Sequence, residues 1–316
     1  MTAPIVFQYP DRLWFLALIP ALLALYGLLS WRTASRLRRR GGDVLARLLP
    51  KQQAWKRHVA VLLALASLGS LTLAFAMPSG EVDVPRDRAT VCIAIDVSLS
   101  MEATDIDPSR LAAEKVAGQQ FVDLLPAGFN VSLVSFAGYG TLLVPPTTDR
   151  GLVKRSIENL QLNSFTSIAS GIDSCLDAMK LAPVDPKHPD QPPPGAIVLL
   201  SDGSTTVGRP SADAAADAKK AKIPVFTIAY GTANGYVVQN GRREYVPVDK
   251  RELQRIADVS GGEAFSAGSA SELRSVYASI AHEIGSEKAY QEITERFAGA
   301  AAVLAVLAAL AVMSLA

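Results

Sequence analysis

Residues 89–101 read ATVCIAIDVSLSM. The run 89–96 is apolar and β-branched and ends on Asp96, as expected of a parallel strand buried on both faces. The same pattern returns at 196–202, AIVLLSD, ending on Asp202. NVSLVSFAG (130–138) and IPVFTIAYG (223–231) supply two more strands. Helical patterns separate them: Pro108–Leu125, with Asp107 as N-cap and Pro108 in the first turn, then Arg150–Leu160, Ser167–Lys180 and Ala212–Lys222. This alternation predicts an α/β fold, a doubly wound and mostly parallel sheet with helices on both faces. Asn240-Gly241 between YVVQ and RREYVPV reads as a hairpin inserted after the 223–231 strand. A last unit follows: helix Lys250–Val259, a Gly261-Gly262 turn, strand Glu263–Ala267 and helix Ser271–Ile284. The Pro-rich stretch 182–195, APVDPKHPDQPPPG, reads as a stiff surface connection at the sheet end opposite the usual ligand crevice.

Outside this segment the chain changes character. The 316 residues carry 31 Lys and Arg against 30 Asp and Glu. Yet 13–29, 59–77 and 297–315 hold no charge at all. A bilayer core about 30 Å thick needs roughly 20 apolar helical residues. The second and third stretches meet that length, and the first does with Pro10–Arg12 and Ser30–Trp31 as interfacial ends. Three uncharged runs argue against buried helices of a soluble core. Pro20 is expected to kink the first span, which membrane helices tolerate. Ala74-Phe75-Ala76 resembles a signal-peptidase site, but it follows a complete span and a basic loop, so it reads as an uncleaved helix end. Ala301, Ala305 and Ala309 form a four-residue stripe suited to close helix packing, with a second copy or another membrane protein as the oligomeric neighbour.

The organisation expected is therefore an N-terminus with the first span (1–30), a basic loop (31–58), the second span (59–77), the α/β domain (88–285) and the third span (297–315). Residues 30–58 hold nine Lys and Arg against Asp43 alone, a net +8, whereas 78–296 is net −7. The positive-inside rule puts the basic loop in the cytoplasm and the domain outside. A docking role for that loop, on a cytoplasmic protein or anionic lipid, is the alternative to its simply setting topology. The acidic domain argues against nucleic acid.

The chemistry concentrates at three strand and helix ends. Asp96, Ser98 and Ser100 form a DxSxS pattern after the first strand, Thr166 opens a helix in NSFTSIASG, and Asp202 closes the 196–202 strand. In open α/β sheets ligands bind beyond the carboxyl ends of the strands. Three hydroxyls and two carboxylates suit a hard cation such as Mg²⁺, and the absence of Cys and His from the set argues against zinc. The plainer alternative makes the hydroxyls helix caps and the carboxylates loop residues.

These three segments resemble the metal-ion-dependent adhesion site (MIDAS) of von Willebrand factor type A (VWA) domains, a Rossmann-like fold. With two leading spans and one closing span, the whole chain resembles the Bat-type VWA membrane proteins of bacteria, notably an actinobacterial group carrying ATDIDPSR after the first motif. The resemblance implies direct metal contact by Ser98, Ser100 and sometimes Thr166, with Asp96 and Asp202 often acting through water. It implies Mg²⁺ or another divalent cation such as Mn²⁺ or Ca²⁺, a multi-pass location in the cell (inner) membrane, and a protein partner whose carboxylate completes the metal shell. Met101, Glu102, Tyr139, Asn163, Phe165, Ser204 and Arg209 are the expected partner-binding rim. Such proteins are also associated with MoxR-type AAA+ ATPases, which gives the alternative of a cytoplasmic-facing adaptor or substrate recruiter.

An enzyme is the remote alternative. Haloacid-dehalogenase-type phosphotransfer needs a second Asp two residues after the first, where Ser98 stands. P-loop and GxSxG patterns are absent, and His58, His188 and His282 are scattered. Cys92 and Cys175 read as small buried hydrophobes, and an external location permits a disulfide between them.

Overall fold

The computed structural model describes residues 5–39, 54–184, 194–239 and 241–314. Most of the Pro-rich connection, Asn240 and residues 40–53 of the basic loop lie outside these. Two compact units emerge, Met1–Val84 with Lys288–Ala316, and Pro85–Glu287.

The first unit begins with the short strand β1 (Val6–Phe7), a 3-10 helix Pro10–Ala17, and helices α1 (Leu18–Arg39) and α2 (Ala54–Phe75), followed by strand β2 (Pro78–Pro85). Pro20 sits in the first turn of α1, directly after the 3-10 segment, rather than within a long α-helix as expected. There its missing N–H is lost where the hydrogen-bonding pattern already changes. The helices also run further into the basic segment than the charge pattern implied, α1 reaching Arg39 and α2 starting at Ala54. Arg and Leu are good helix formers, so loss of apolarity does not end a helix. Arg12 is held over the rings of Tyr9 (4.0 Å) and Phe75 (4.4 Å) and donates to the Phe75 carbonyl at 2.9 Å.

In the second unit the order is β3 (Thr90–Asp96), a 3-10 turn Leu99–Glu102, α3 (Arg110–Leu124), β4 (Asn130–Phe136), β5 (Gly140–Thr147), α4 (Arg150–Glu158), α5 (Ile168–Met179) and β6 (Gly195–Ser201). It continues with α6 (Ser211–Lys220), β7 (Val225–Tyr230), the hairpin β8 (Tyr236–Gln239) and β9 (Arg242–Tyr245), α7 (Lys250–Ser260), β10 (Ala264–Ala267) and α8 (Ala270–Gly285). Strand β11 (Ser286–Glu292) and helix α9 (Thr294–Met313) then complete the first unit.

The main sheet has the order β10-β7-β6-β3-β4-β5. All its neighbours are parallel except the β4–β5 pair. Side-chain alternation along β3 sends Val91, Ile93 and Ile95 into a core with Phe121, Leu273 and Ile280 from α3 and α8. It sends Cys92 and Ala94 into a second core with Ile172, Ala215 and Leu253 from α5, α6 and α7. The chain leaves β3 toward β4 on one side and returns to β6 on the other, so β3 is the topological switch point, where a crevice is expected.

Several sequence expectations are corrected here. Helix α3 begins at Arg110, because the Ser109 side chain, not that of Asp107, accepts from the Ala112 N–H; the Asp107–Pro108 peptide is cis. Strand β5, unexpected from its Pro145-Pro146 pair, is an edge strand, where a missing N–H is tolerated. Cys92 and Cys175 form a disulfide, with Cα atoms 5.7 Å apart. They face each other because Cys92 lies on the β3 face that α5 covers.

Among the described residues three helices are long and apolar enough to cross a membrane, Pro10–Arg32, Trp55–Phe75 and Thr294–Met313. Helices α2 and α9 pack antiparallel, with Ser67 Oγ donating to the Ala301 carbonyl (2.7 Å) and Ser70 Oγ to that of Phe297 (2.8 Å). Ala301 and Ala308 are buried along α9, while Ala305 and Ala309 are exposed. The seam buried within this chain therefore runs through Ala301 and Ala308, and Ala305 and Ala309 lie on the outer side of α9. Two polar strands unforeseen from the sequence, β2 and β11, join β1 in a three-stranded sheet.

Candidate functional site

Four loops meet beyond the carboxyl ends of β3 and β6. Asn163 N donates to the Val97 carbonyl (2.7 Å), and Ser98 bridges to Asn163. Gly138 N and Ser167 N bond to the carbonyls of Ser164 (3.1 Å) and Ala137 (2.6 Å). Thr166 is fixed from the β6–α6 loop: its N–H donates to Thr206 Oγ1 at 2.9 Å, and its carbonyl accepts from the N–H groups of Thr206 and Val207. This stitching brings Asp96, Ser98, Ser100, Thr166 and Asp202 to one end of the sheet from segments up to 106 positions apart.

Asp96 is fully buried. One carboxylate oxygen accepts from Ser98 N–H (2.8 Å) and the other from Ser201 Oγ (2.5 Å). Desolvation, followed by the charge of Asp202, pushes its pKa up to about 7 against these hydrogen bonds. Ser98 Oγ and Ser100 Oγ lie 3.0 Å apart. Among the described residues the Thr166 hydroxyl makes no hydrogen bond. Asp202, also fully buried, accepts from Ser204 N–H at 3.1 Å, and its other oxygen lies 3.3 Å from Arg110 Nη1.

Arg110, Asp105 and Ser201 were not singled out from the sequence. The Arg110 guanidinium is completely buried and forks onto Asp105, Nε–Oδ1 2.8 Å and Nη2–Oδ2 2.9 Å. Burial acts to raise the Asp105 pKa, but hydrogen bonds from Arg110 and Thr232 prevail and hold it below the usual carboxylate range. The ATDIDPSR segment contains Asp105 and Arg110, and that segment is the signal that could have found them.

One buried guanidinium thus stands against three carboxylates, Asp96, Asp105 and Asp202. That deficit, beside three hydroxyls, fits a divalent hard cation. Among the described residues no three His, Cys, Asp or Glu side chains cluster as a ligand set, so any metal here would rely on hydroxyl oxygens. Ser98, Ser100 and Thr166 would hold such an ion, with Asp96 and Asp202 behind them. The ion would supply an open coordination position for an external oxygen.

Around this centre Tyr139 and Phe165 are 65% and 64% exposed. Glu102 and Asn163 are exposed and Ser204 is half-buried. Phe165 has φ +66°, an unusual conformation for a bulky side chain, next to Thr166. One rim expectation is corrected. Met101 is 0% exposed, because the 3-10 turn rotates it into the core. Arg209 is exposed, and it also pairs with Asp173 (2.5 Å) and Asp217 (3.0 Å), tying α5 to α6.

One helical turn after Arg110, Glu114 is buried with neither carboxyl oxygen hydrogen-bonded among the described residues. Burial, then the charge of Asp96, raises its pKa well above 4.5. The folded state therefore binds a proton that the unfolded chain releases near pH 4.5, and this group's contribution falls as pH rises toward the folded value. Glu114→Gln should flatten that fall and raise stability at pH 8 by about 1–3 kcal/mol. Urea midpoints at pH 5 and pH 8 check this; a wild-type pH dependence in the variant would count against it.

Comparison with known proteins gives a consistent result. Residues 91–204 match the von Willebrand factor type A domain. A UPF0353 protein of Mycobacterium sp. (strain KMS) is 40% identical over 98% of this chain and 94% of its own length. One from Mycobacterium tuberculosis (strain ATCC 25177 / H37Ra) is 37% identical over 95% and 91%. The structure of BatB from Bacteroides thetaiotaomicron superposes with a TM-score of 0.53 at 25% identity, covering 62% of this chain and 97% of its own. An aerotolerance-related membrane protein from Bacteroides fragilis NCTC 9343 has the same fold (TM-score 0.54, 24% identity, covering 62% and 98%). A sheet switching direction at β3, the loops joined around Asp96 and Asp202, and near full-length identity to mycobacterial relatives lead to one assignment: the chain belongs to the UPF0353 family, and its α/β unit is a VWA domain like that of the Bat membrane proteins.

Proposed function

We propose that this is a membrane-anchored binding module. Its VWA domain would take a divalent cation, Mg²⁺ first, on Ser98, Ser100 and Thr166 backed by Asp96 and Asp202. The ion would capture a carboxylate presented by a protein partner in an assembly or scaffolding role at the bacterial cell envelope. The observation carrying this reading is the imbalance of three carboxylates, Asp96 and Asp202 fully buried and Asp105 half-buried, against one guanidinium at the mouth of the β3 switch point. The exposed Tyr139 and Phe165 support it, since large aromatic side chains anchor protein interfaces. The reading is of binding rather than catalysis. The test is recovery of partners from solubilised membranes on the tagged full chain. Recovery that chelator abolishes, and that Asp96→Ala abolishes with magnesium present, supports the reading. Recovery of the same partners in all three arms overturns it.

We place the domain outside the cytoplasm and the basic segment inside, in the inner membrane. The positive-inside count supports this, and so does the Cys92–Cys175 disulfide, because such bonds persist in oxidising compartments. Thiol trapping in intact cells, quenched in acid and read as a maleimide mass shift, should find both cysteines blocked until reductant is added. Free thiols would place the domain in the cytoplasm, where an adaptor for a MoxR-type ATPase becomes the better account.

A further inference from the structure

The candidate metal site does not end at Asp202. Arg110, which opens α3, is a cation at a helix N-terminus, where the macrodipole disfavours positive charge, and it is fully buried. Helix formation gives no reason for it there. Its contacts do: Nη1 reaches Asp202, Nε and Nη2 grip Asp105, and Nη2 also donates to the Val246 carbonyl at 3.0 Å. Asp105 in turn accepts from the N–H and the hydroxyl of Thr232, each at 2.8 Å.

The backbone is shaped around this side chain. A Cβ on Gly231, which has φ +128°, would lie 2.6 Å from the Arg110 guanidinium carbon, and one on Gly235 would collide with Nη2. Gly235 and Val246 close the segment by a backbone hydrogen bond of 2.9 Å, with the β8–β9 hairpin between them. The guanidinium therefore sits where three parts of the chain converge, with Asp202 on one side and both ends of the hairpin segment on the other.

We propose that Arg110 is a positioning residue that joins the candidate metal site and the Thr232–Val246 segment into one unit, so that whatever shifts Asp202 shifts the hairpin and the reverse. A planar fork bound on several edges transmits orientation in a way a single ammonium cannot. Coupling of this kind is reciprocal. The proposal rests on the metal-site reading for its functional meaning, but the linkage between Asp202 and the hairpin is a property of the metal-free chain.

The test uses the full chain in nanodiscs. Asp202→Ala removes the carboxylate oxygen that faces Arg110 Nη1 without touching the hairpin's own contacts. Amide exchange over 232–246, without metal, should be at least about tenfold faster than wild type, with β3 and β4 amides unchanged as the folding control. In the reverse direction, Asp105→Asn, which does not contact Asp202, should weaken Mg²⁺ affinity about tenfold by calorimetry, as loss of an outer support does at metal sites. Arg110→Lys should reproduce both effects. Wild-type exchange in Asp202→Ala, or wild-type affinity in Asp105→Asn, overturns the proposal. If the wild-type chain takes up no magnesium, the metal reading falls and the exchange experiment alone decides the linkage.

Discussion

Arg110→Ala should destabilise the VWA domain by about 3–5 kcal/mol, read from denaturant unfolding of the full chain in detergent. The size follows from what is left behind. Asp105 and Asp202 face this one guanidinium, both Asp202 oxygens are buried, and the space lies within the cradle of Gly231 and Gly235. Truncation strands two carboxylates in a poorly solvated pocket, and a buried charge without its partner costs far more than an exposed pair contributes. The exposed Lys180–Asp177 pair is the contrast: Lys180→Ala should change stability by less than about 1 kcal/mol. Similar small losses for the two variants would mean that water screens the Arg110 network.

Asp96→Asn should act in the opposite sense on the metal-free protein, raising its stability at pH 7 by about 1–3 kcal/mol. Asp96 is desolvated and repelled by Asp202, so its pKa is raised to about 7 in the folded state. Sign follows from linkage: a carboxyl whose folded pKa lies above its unfolded value binds a proton on folding. Its stabilising contribution is complete below about pH 4 and lost as pH approaches 7. Asn keeps an acceptor for the Ser98 N–H and removes the charge. A residue whose removal stabilises the fold is not kept for the fold. The same variant should lose magnesium-induced stabilisation, which at a hundred times Kd amounts to about 2.7 kcal/mol in a chain that binds. A destabilised Asp96→Asn that still responds to magnesium would contradict both halves of the argument.

How much of this could be read in advance depends on what each residue's role rests on. Strands β3 and β6 are buried on both faces, and continuous apolar runs ending in Asp announce them. The five candidate ligands were legible because Asp96 and Asp202 stand at the ends of apolar strands, Ser98 and Ser100 follow Asp96 within four residues, and Thr166 directly precedes the Ser167 cap of α5. Strand β5 was hidden because an edge strand with exposed Leu142 and Leu143 and a Pro pair shows no clean alternation. The polar strands β2 and β11 were hidden because their pairing is set by partners far along the chain. The Cys92–Cys175 bond depends on which face of β3 meets α5, and that is decided by packing. Met101 was misplaced because a 3-10 turn changes side-chain direction within two residues of the motif. Arg110 stood in plain view within ATDIDPSR. Its meaning lay in Asp202 and Val246, 92 and 136 positions away.

The most direct test of the metal-dependent binding account is a calorimetric titration of magnesium into the purified full chain in nanodiscs, alongside Asp96→Asn and Ser98→Ala. The account predicts one Mg²⁺ per chain for the wild type and affinity reduced by at least about a hundredfold in each variant. Equal binding by all three proteins, or no binding by the wild type, would contradict it.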